Sequence, residues 1–455
     1  MKMQPEYFCQ KSYLRQTASS PEEYLTAALQ AEKYIDRWKV VTPAGIFWDM
    51  GQDRLSADLL GLYNGSAGIL YFYKKLYDTT GDSRWLETVH EAVRFLTRHI
   101  QDILPEKIRT IQEYREQVSL DTGVLGIAGI GFVLLEIYES FSWEEAGSAL
   151  RELRTFYLEH GIRNEGMICW TGSTTMITDC AIILFLIRYQ LLFREQKTAD
   201  CIRQVETWFL SQGIVTSTDT IRFRGLECVW EGIKPNFEVG TAGCGFVLAR
   251  LYEYSGNPDC LAAARKCVSF LRECMIPEGK GALIPFRLDL GEKSPFYLGT
   301  CSGIAGTARL FYLMYLLTQD ETYLQDIYSL TAGLEAVGAP EHMSPGLWNT
   351  FNLCCGHAGL VQFFVGMYQA TGDSYFSSLA GRSASVLLGE RQTQPDGSAK
   401  WTMALERIHP DRESAPIGYY MGAAGIGAAL LQIYMSEKKK FLWKRLPDDP
   451  FPENA

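Results

Sequence analysis

Thr300-Cys301-Ser302-Gly303-Ile304-Ala305-Gly306 and Leu353-Cys354-Cys355-Gly356-His357-Ala358-Gly359 are two copies of one pattern, a Gly-x-x-Gly turn that opens an apolar run. Five further copies lie along the 455 residues: Gly65-Ser66-Ala67-Gly68, Gly126-Ile127-Ala128-Gly129, Gly172-Ser173-Thr174-Thr175, Gly240-Thr241-Ala242-Gly243 and Gly422-Ala423-Ala424-Gly425. The third is degenerate, with Thr175 in place of the last glycine. Counted from the first glycine of each turn, Cys301 and Cys354 both fall two residues before it and Cys355 falls one before. Repeats superimpose equivalent positions about a common centre. The spacing therefore predicts that three thiols distant in sequence converge on one point, as the donor set of a metal site.

The runs after the turns, such as Ile130 to Tyr138 and Leu360 to Tyr368, are apolar on most faces, as expected of helices buried inside a larger assembly. Several end in Thr80-Gly81-Asp82, Ser255-Gly256-Asn257, Thr318-Gln319-Asp320 or Thr371-Gly372-Asp373, where glycine suits a helix C-cap and Asp or Asn the next N-cap. A more amphipathic helix follows: Trp85 to His99, Pro258 to Met275, Thr322 to Ala336 and Tyr375 to Leu388 show apolar spacings of three and four. The predicted fold is all-α, an α/α toroid of seven helical hairpins, with an open α-solenoid as the competing geometry. Short irregular or β insertions are expected between repeats, for example Val215 to Arg224 and Ala282 to Leu288. The expected division is a helical lead-in over 1–50, the toroid over 51–437 and a C-terminal tail over 438–455.

Hydrophobic residues make up 47% of the chain and charged residues 21%, as in ordinary globular proteins. A net charge of −10 leaves no basic excess to neutralise phosphates, which argues against a nucleic-acid partner. Met1 to Gln16 is polar and carries no secretory h-region, and the longest apolar stretch, Cys180 to Ile187, is too short to span a membrane. The expected location is cytoplasmic. Twelve cysteines without an export signal do not imply a disulfide framework; most of those outside the turns, such as Cys260 and Cys267, read as buried inert thiols.

The repeated turns, together with the cysteines of the fifth and sixth, resemble the lanthionine synthetase C-like family, from about Gly61 to Tyr434. The resemblance implies a toroid with a central zinc ion, bound by a Cys from the fifth repeat and a Cys-His pair from the sixth. Cys301 and Cys354 match the two Cys positions, and Cys355 stands where the family usually has His; such a Cys-Cys-Gly variant is similar to the three-thiolate sites of some lanthipeptide synthetases. The implied reaction is Michael addition of a peptide cysteine to dehydroalanine or dehydrobutyrine, closing a thioether ring. The substrate is then a dehydrated precursor peptide, and a dehydratase partner is expected, because no P-loop or kinase-type motif is present to supply the dehydroamino acids.

Protonation of the product enolate calls for a general acid. The family's usual acid is a His just before the glycine of the fourth turn, and here that residue is Val239. Glu238 shares the turn offset of Cys301 and Cys354 and is expected to face the centre. His357 is a candidate acid, a fourth ligand or a pocket residue. Asp121, in Ser119-Leu120-Asp121-Thr122-Gly123, is near the place of a family Asp and is read as orienting an acid, holding a substrate amide or capping the second inner helix. Tyr63, Tyr420 and Trp170 share the cysteine offset and are expected to line the cavity, whereas Lys293 and His90, His99, His160 and His409 read as surface or structural residues. Two other functions stand beside cyclisation: a non-cyclising zinc-bearing scaffold, suggested by the missing His, and a glycan-active barrel, disfavoured because the aligned positions offer thiols rather than paired carboxylates.

Overall fold

The computed structural model describes residues 11–51, 55–112, 118–226, 232–407, 409–440 and 444–453; Cys9 and Cys228 lie outside them. Fourteen long helices follow in chain order: α1 (Glu22–Ile35), α2 (Ser66–Thr80), α3 (Ser83–Arg98), α4 (Ile127–Phe141), α5 (Glu144–His160), α6 (Asp179–Phe193), α7 (Gln196–Ser211), α8 (Thr241–Ser255), α9 (Pro258–Glu273), α10 (Ile304–Thr318), α11 (Thr322–Ala336), α12 (His357–Thr371), α13 (Ser374–Gly389) and α14 (Ala423–Glu437). The even-numbered helices form an inner ring and the odd-numbered ones an outer ring. Each inner helix packs on the outer helix that follows it, except α14, whose outer partner is α1. The lead-in thus supplies the seventh outer helix. Inner helices touch their neighbours all the way round, and α14 against α2 closes the circle. The fold is an α/α toroid.

Local chemistry explains the hairpins. Gly81, Gly256 and Gly372 take left-handed conformations at the ends of α2, α8 and α12. Asp82, Asn257 and Asp373 then accept backbone N–H bonds at the starts of α3, α9 and α13. The turn glycines answer to close backbone approach: a Cβ on Gly306 would lie 1.8 Å from the Thr300 carbonyl oxygen, and one on Gly356 1.8 Å from that of Thr350. The stretch Leu120–Phe141, which contains α4, is long and apolar enough to cross a membrane, but it is mostly buried inside the toroid.

The third turn differs from expectation. Inner helix α6 begins at Asp179, with Thr178 at the cap position that glycine holds in the other six repeats. The Gly172-Ser173-Thr174-Thr175 stretch is instead a loop wrapped around the Asp179 carboxylate, which accepts N–H bonds from Trp170, Thr171 and Gly172. The position two before the cap is therefore Met176, not Trp170. Trp170 is buried packing, its indole N–H donating to the Tyr157 carbonyl.

With that register, the residues two before each cap are Tyr63, Val124, Met176, Glu238, Cys301, Cys354 and Tyr420. They form a ring at the mouth of the toroid. Main-chain N–H groups donate to carbonyls from Val124 to Met176, Met176 to Glu238, Glu238 to Cys301, Cys301 to Cys354, Cys354 to Tyr420 and Tyr420 to Tyr63, at 2.8 to 3.3 Å. Six of the seven neighbouring pairs are joined in this way.

Two-stranded ribbons fill the connections. Ile214–Val215 pairs with Ile221–Arg222 at the first expected insertion, beginning one residue before it, while the second holds only the end of the Ile276–Glu278/Gly281–Leu283 ribbon before the chain leaves it as loop. The tail segment 444–453 enters the lumen. The Lys444 carbonyl accepts from Tyr71 and Lys75 of α2, and its ammonium meets Glu139 of α4. Glu453 pairs with Arg188 of α6, the Asp449 carbonyl accepts from Arg250 of α8, and Asp448 pairs with Arg309 of α10. Phe451 packs on Tyr312 of α10 and Phe363 of α12.

Candidate metal centre

Cys301 and the Cys354-Cys355 pair lie in the tight turns that lead into α10 and α12. The Cys301 N–H donates to the Cys354 carbonyl at 3.1 Å, and beside it Thr300 donates to the Leu353 carbonyl through both N–H and hydroxyl. The Asn352 side chain accepts from the Cys355 N–H at 2.8 Å and from the Thr350 hydroxyl at 2.9 Å, which fixes the Cys-Cys turn. Asn236 donates to the Ser302 carbonyl at 2.9 Å and steadies the residue after Cys301.

The three sulfurs converge. Cys355 Sγ is 3.6 Å from Cys301 Sγ and 3.5 Å from Cys354 Sγ, and all three lie within 4.8 Å of one another. These separations are far beyond the ~2.05 Å of a disulfide and close to the ~3.8 Å edge of a tetrahedron with ~2.3 Å metal–sulfur bonds. Residual exposures of 7, 6 and 9% keep the cluster nearly dry. Three thiols so confined do not ionise independently: thiol donors from Cys354 and Cys355 pull the Cys301 thiol well down, and the thiols of Cys354 and Cys355 are pushed up. A divalent cation relieves that conflict by stabilising all three as thiolates. The group could hold a metal ion.

Around the sulfurs, the ring places Glu238 next to Cys301. Its carboxyl, partly exposed at the mouth, is pushed up to about 8, first by desolvation and then by the charge of Cys301. On the other side the Tyr63 hydroxyl donates to Cys354 Sγ at 2.8 Å, and its ring stacks on Tyr420 with centroids 4.6 Å apart. Tyr63 and Tyr420 line the centre as expected. Asp121 is exposed in a 3-10 turn before Val124, the sector of the ring opposite the Cys301–Cys354 pair.

Of the three roles open to His357, the geometry favours that of a buried packing residue. Its ring is fully buried, with Nδ1 2.8 Å from the Thr350 carbonyl, Nε2 2.8 Å from that of Pro340, and Tyr13 edge-on at 4.8 Å. Desolvation lowers its pKa. The neutral imidazole has one N–H, so it donates to only one of the two carbonyls, and the Asn349 side-chain amide lies 3.3 Å from Nε2. Buried among these groups, the ring is packing, neither ligand nor acid. The other histidines are held elsewhere: His90 by Glu145, His99 by Asp102, His160 by the Phe156 carbonyl, His342 by Ser12 and His409 by Glu406. Lys293 is exposed.

Sequence reasoning passed over Asn236 and Asn352, which share an offset of four before the cap and so carried a repeat signal. It also passed over Arg309 and Asp448. Their link is a buried ion pair at 2.8 Å between α10 and the tail, which no periodicity marks.

Residues 57–446 match the family of lanthionine synthetase C-like proteins. Among solved structures, nisin cyclase superposes with a TM-score of 0.59 and 14% identity over 90% of this chain and 97% of that one. The Lin0763 protein from Listeria innocua follows with a TM-score of 0.46 and 10% identity over 91% and 97%, and an α-1,6-mannanase of Salegentibacter sp. HEL1_6 with 0.45 and 10% over 90% and 98%. No curated protein matches the sequence.

Proposed function

Because the chain belongs to the lanthionine synthetase C-like family, we propose that it is a zinc-dependent cyclase that closes thioether rings on a dehydrated precursor peptide. The observation that carries this reading is the convergence of Cys301, Cys354 and Cys355 at tetrahedral edge distances in a nearly dry pocket. Zinc held by these three residues would supply a Lewis acid that keeps a substrate cysteine as its thiolate at neutral pH.

In the addition, the substrate sulfur bonds to Cβ of dehydroalanine or dehydrobutyrine, the C=C electron pair moves onto Cα and the carbonyl, and Cα then takes a proton. We assign that proton to Glu238, the ring neighbour of Cys301. The carboxylate left behind regains its proton from water. Asp121, on the opposite lip, is assigned to holding a substrate amide. The dehydroamino acids would come from a separate dehydratase.

A second reading, a non-cyclising scaffold that binds zinc and peptide, is favoured by one observation: among the described residues the thiol group includes no histidine, and Val239 occupies the place where the resemblance implies one. Incubation with a dehydrated, cysteine-containing peptide separates the two. The cyclase consumes the peptide's free thiol, read by alkylation and mass spectrometry. Full zinc loading with unchanged thiol selects the scaffold.

A further inference from the structure

The lumen segment reaches Tyr420, the ring neighbour of Cys354. Asp448 is 5% exposed, accepts from Arg309 Nη1 at 2.8 Å and accepts from the Tyr420 hydroxyl at 3.2 Å. Its carbonyl takes a further bond from the same Arg309 nitrogen at 3.1 Å. Arg309 is itself 5% exposed, and its guanidinium lies 5.5 Å from the ring of Phe237, the residue before Glu238.

Tyr420 links this ion pair to the site. Its ring stacks nearly parallel on Tyr63, with 8° between planes, and its main chain accepts from the Cys354 N–H and donates to the Tyr63 carbonyl, each at 2.9 Å. Tyr63 in turn donates its hydroxyl to Cys354 Sγ at 2.8 Å. Every side chain from Arg309 to Cys354 is therefore fixed by a contact to the next. A hydroxyl donating to a thiolate draws electron density from the sulfur and orients its lone pairs, and partners of this kind tune metal sites.

We propose that the C-terminal segment is a working part of the thiol site: Asp448, anchored by Arg309, acts through Tyr420 and Tyr63 as a positioning residue that sets how strongly Cys354 donates to a bound metal ion. The proposal rests on the metal reading of the three cysteines. It adds a control from the tail, which touches no sulfur.

The test uses the full chain loaded with cobalt(II), whose thiolate charge-transfer band reports the electron density on sulfur. Tyr63→Phe removes the donor to Cys354, so the band moves to longer wavelength and cobalt affinity against a chelator falls about tenfold. Tyr420→Phe removes only the tie to Asp448. The expected result is a shift in the same direction, of smaller size, and no further shift when it is added to Tyr63→Phe. Asp448→Asn follows Tyr420→Phe, and should it fail to fold, the tyrosine pair decides alone. A wild-type band that Tyr420→Phe leaves unmoved, or shifts that add in the double variant, overturns the proposal while the metal site stands. Wild-type protein that binds cobalt without a thiolate band overturns both.

Discussion

The main-chain N–H of Cys301 donates to the carbonyl of Cys354 at 3.1 Å, so the fifth and sixth repeats are joined at the very residues that present their sulfurs. The bond belongs to a chain of such bonds running from Val124 round to Tyr63. Side-chain flexibility alone does not bring three buried thiols together. Here the turns before the helices are laced to one another by main-chain bonds, and the position of each Cβ follows from that lacing. The site is rigid because it is made at the backbone level, where misplacement would break hydrogen bonds as well as contacts.

Gly306→Ala tests this coupling. The new Cβ would meet the Thr300 carbonyl oxygen at 1.8 Å, and Thr300 is held to Leu353 beside Cys301. Relief requires moving the segment that carries Cys301. The expected outcome is a stability loss of about 3 kcal/mol together with lost metal binding, measured by urea unfolding and metal analysis of the same preparation. A variant that keeps full metal content would show that the turn and the site are not coupled.

Each of Cys301→Ser, Cys354→Ser and Cys355→Ser should weaken zinc binding by roughly a hundredfold, since one of the three thiolates is lost in each. The control is Cys267→Ser, a buried thiol in α9 whose pKa burial pushes well up and which lies outside the cluster. Zinc stoichiometry after dialysis against a chelator separates them. Cys355→Ser is the informative member, because this residue stands where the resemblance implies His. Retention of metal in that variant alone would remove Cys355 from the ligand set.

Six of the seven turns were legible because close backbone approach leaves glycine no substitute, as at Gly306 and Gly356. The three thiols followed from the same offsets. The third turn was misplaced because Thr178 and Asp179 do the work of glycine there, and the visible Gly172, at φ +75, serves a loop around the Asp179 carboxylate. Closure by α1 leaves no local mark, since the pairing with α14 is set by topology. The lumen was hidden for another reason. Lys75, Glu136, Arg188, Arg250 and Gln432 each stand ten residues past a helix cap, scattered one per repeat, and a tail outside the repeat pattern gave them no visible partner. The direction of His357 was equally illegible: an imidazole at a crowded helix start can face the centre or the packing behind it, and Pro340 and Thr350 decide for the packing.

Lys75 gives the lumen a pH signature. Its ammonium is 1% exposed and donates to the Lys444 carbonyl at 2.9 Å, with Glu136 at 3.6 Å. Burial, aided by the neighbouring Lys74 charge and opposed by Glu136, pulls it down to about 8. Between that value and the ordinary lysine range the unfolded chain holds more protons than the native one, so native stability rises with pH in this window; the gain is complete above the unfolded pKa and is lost as pH falls through 8. Compared with Lys75→Met, the wild type should gain about 2 kcal/mol between pH 7.5 and 10. Urea midpoints of both proteins at the two pH values measure it, and parallel curves would place the charge elsewhere.

Gly366→Ala probes the seating of the tail. A Cβ there would meet the Phe451 ring at 2.5 Å, and Phe451 is also held by Tyr312 at 5.0 Å and Phe363 at 5.8 Å. The ring has no free side to retreat to, so the alanine should cost about 1 to 3 kcal/mol. Phe451→Leu, costly by itself, should recover part of that loss in the double variant because the shorter side chain clears the new methyl. Thermal unfolding of the cycle reads the coupling; purely additive costs would mean that the tail is not packed against α12.

Glu238→Gln decides between catalyst and scaffold at the level of one proton. The amide keeps the shape of the carboxyl and its place in the ring, whose bonds to Cys301 and Met176 are main-chain. Metal content and peptide binding should therefore stay at wild-type levels. The proton is what is lost, and removing a positioned general acid slows a reaction by about 10²- to 10⁴-fold. Because the addition leaves a carbanion at Cα, the missing acid should also show in isotope uptake: in D₂O the wild type places one deuterium at Cα of each ring, and the variant shows the same label at the reduced rate. A variant that cyclises as fast as the wild type would pass the role to Tyr63, whose hydroxyl already touches Cys354. A wild type that never labels Cα, with its zinc in place, would leave binding as the work of this ring.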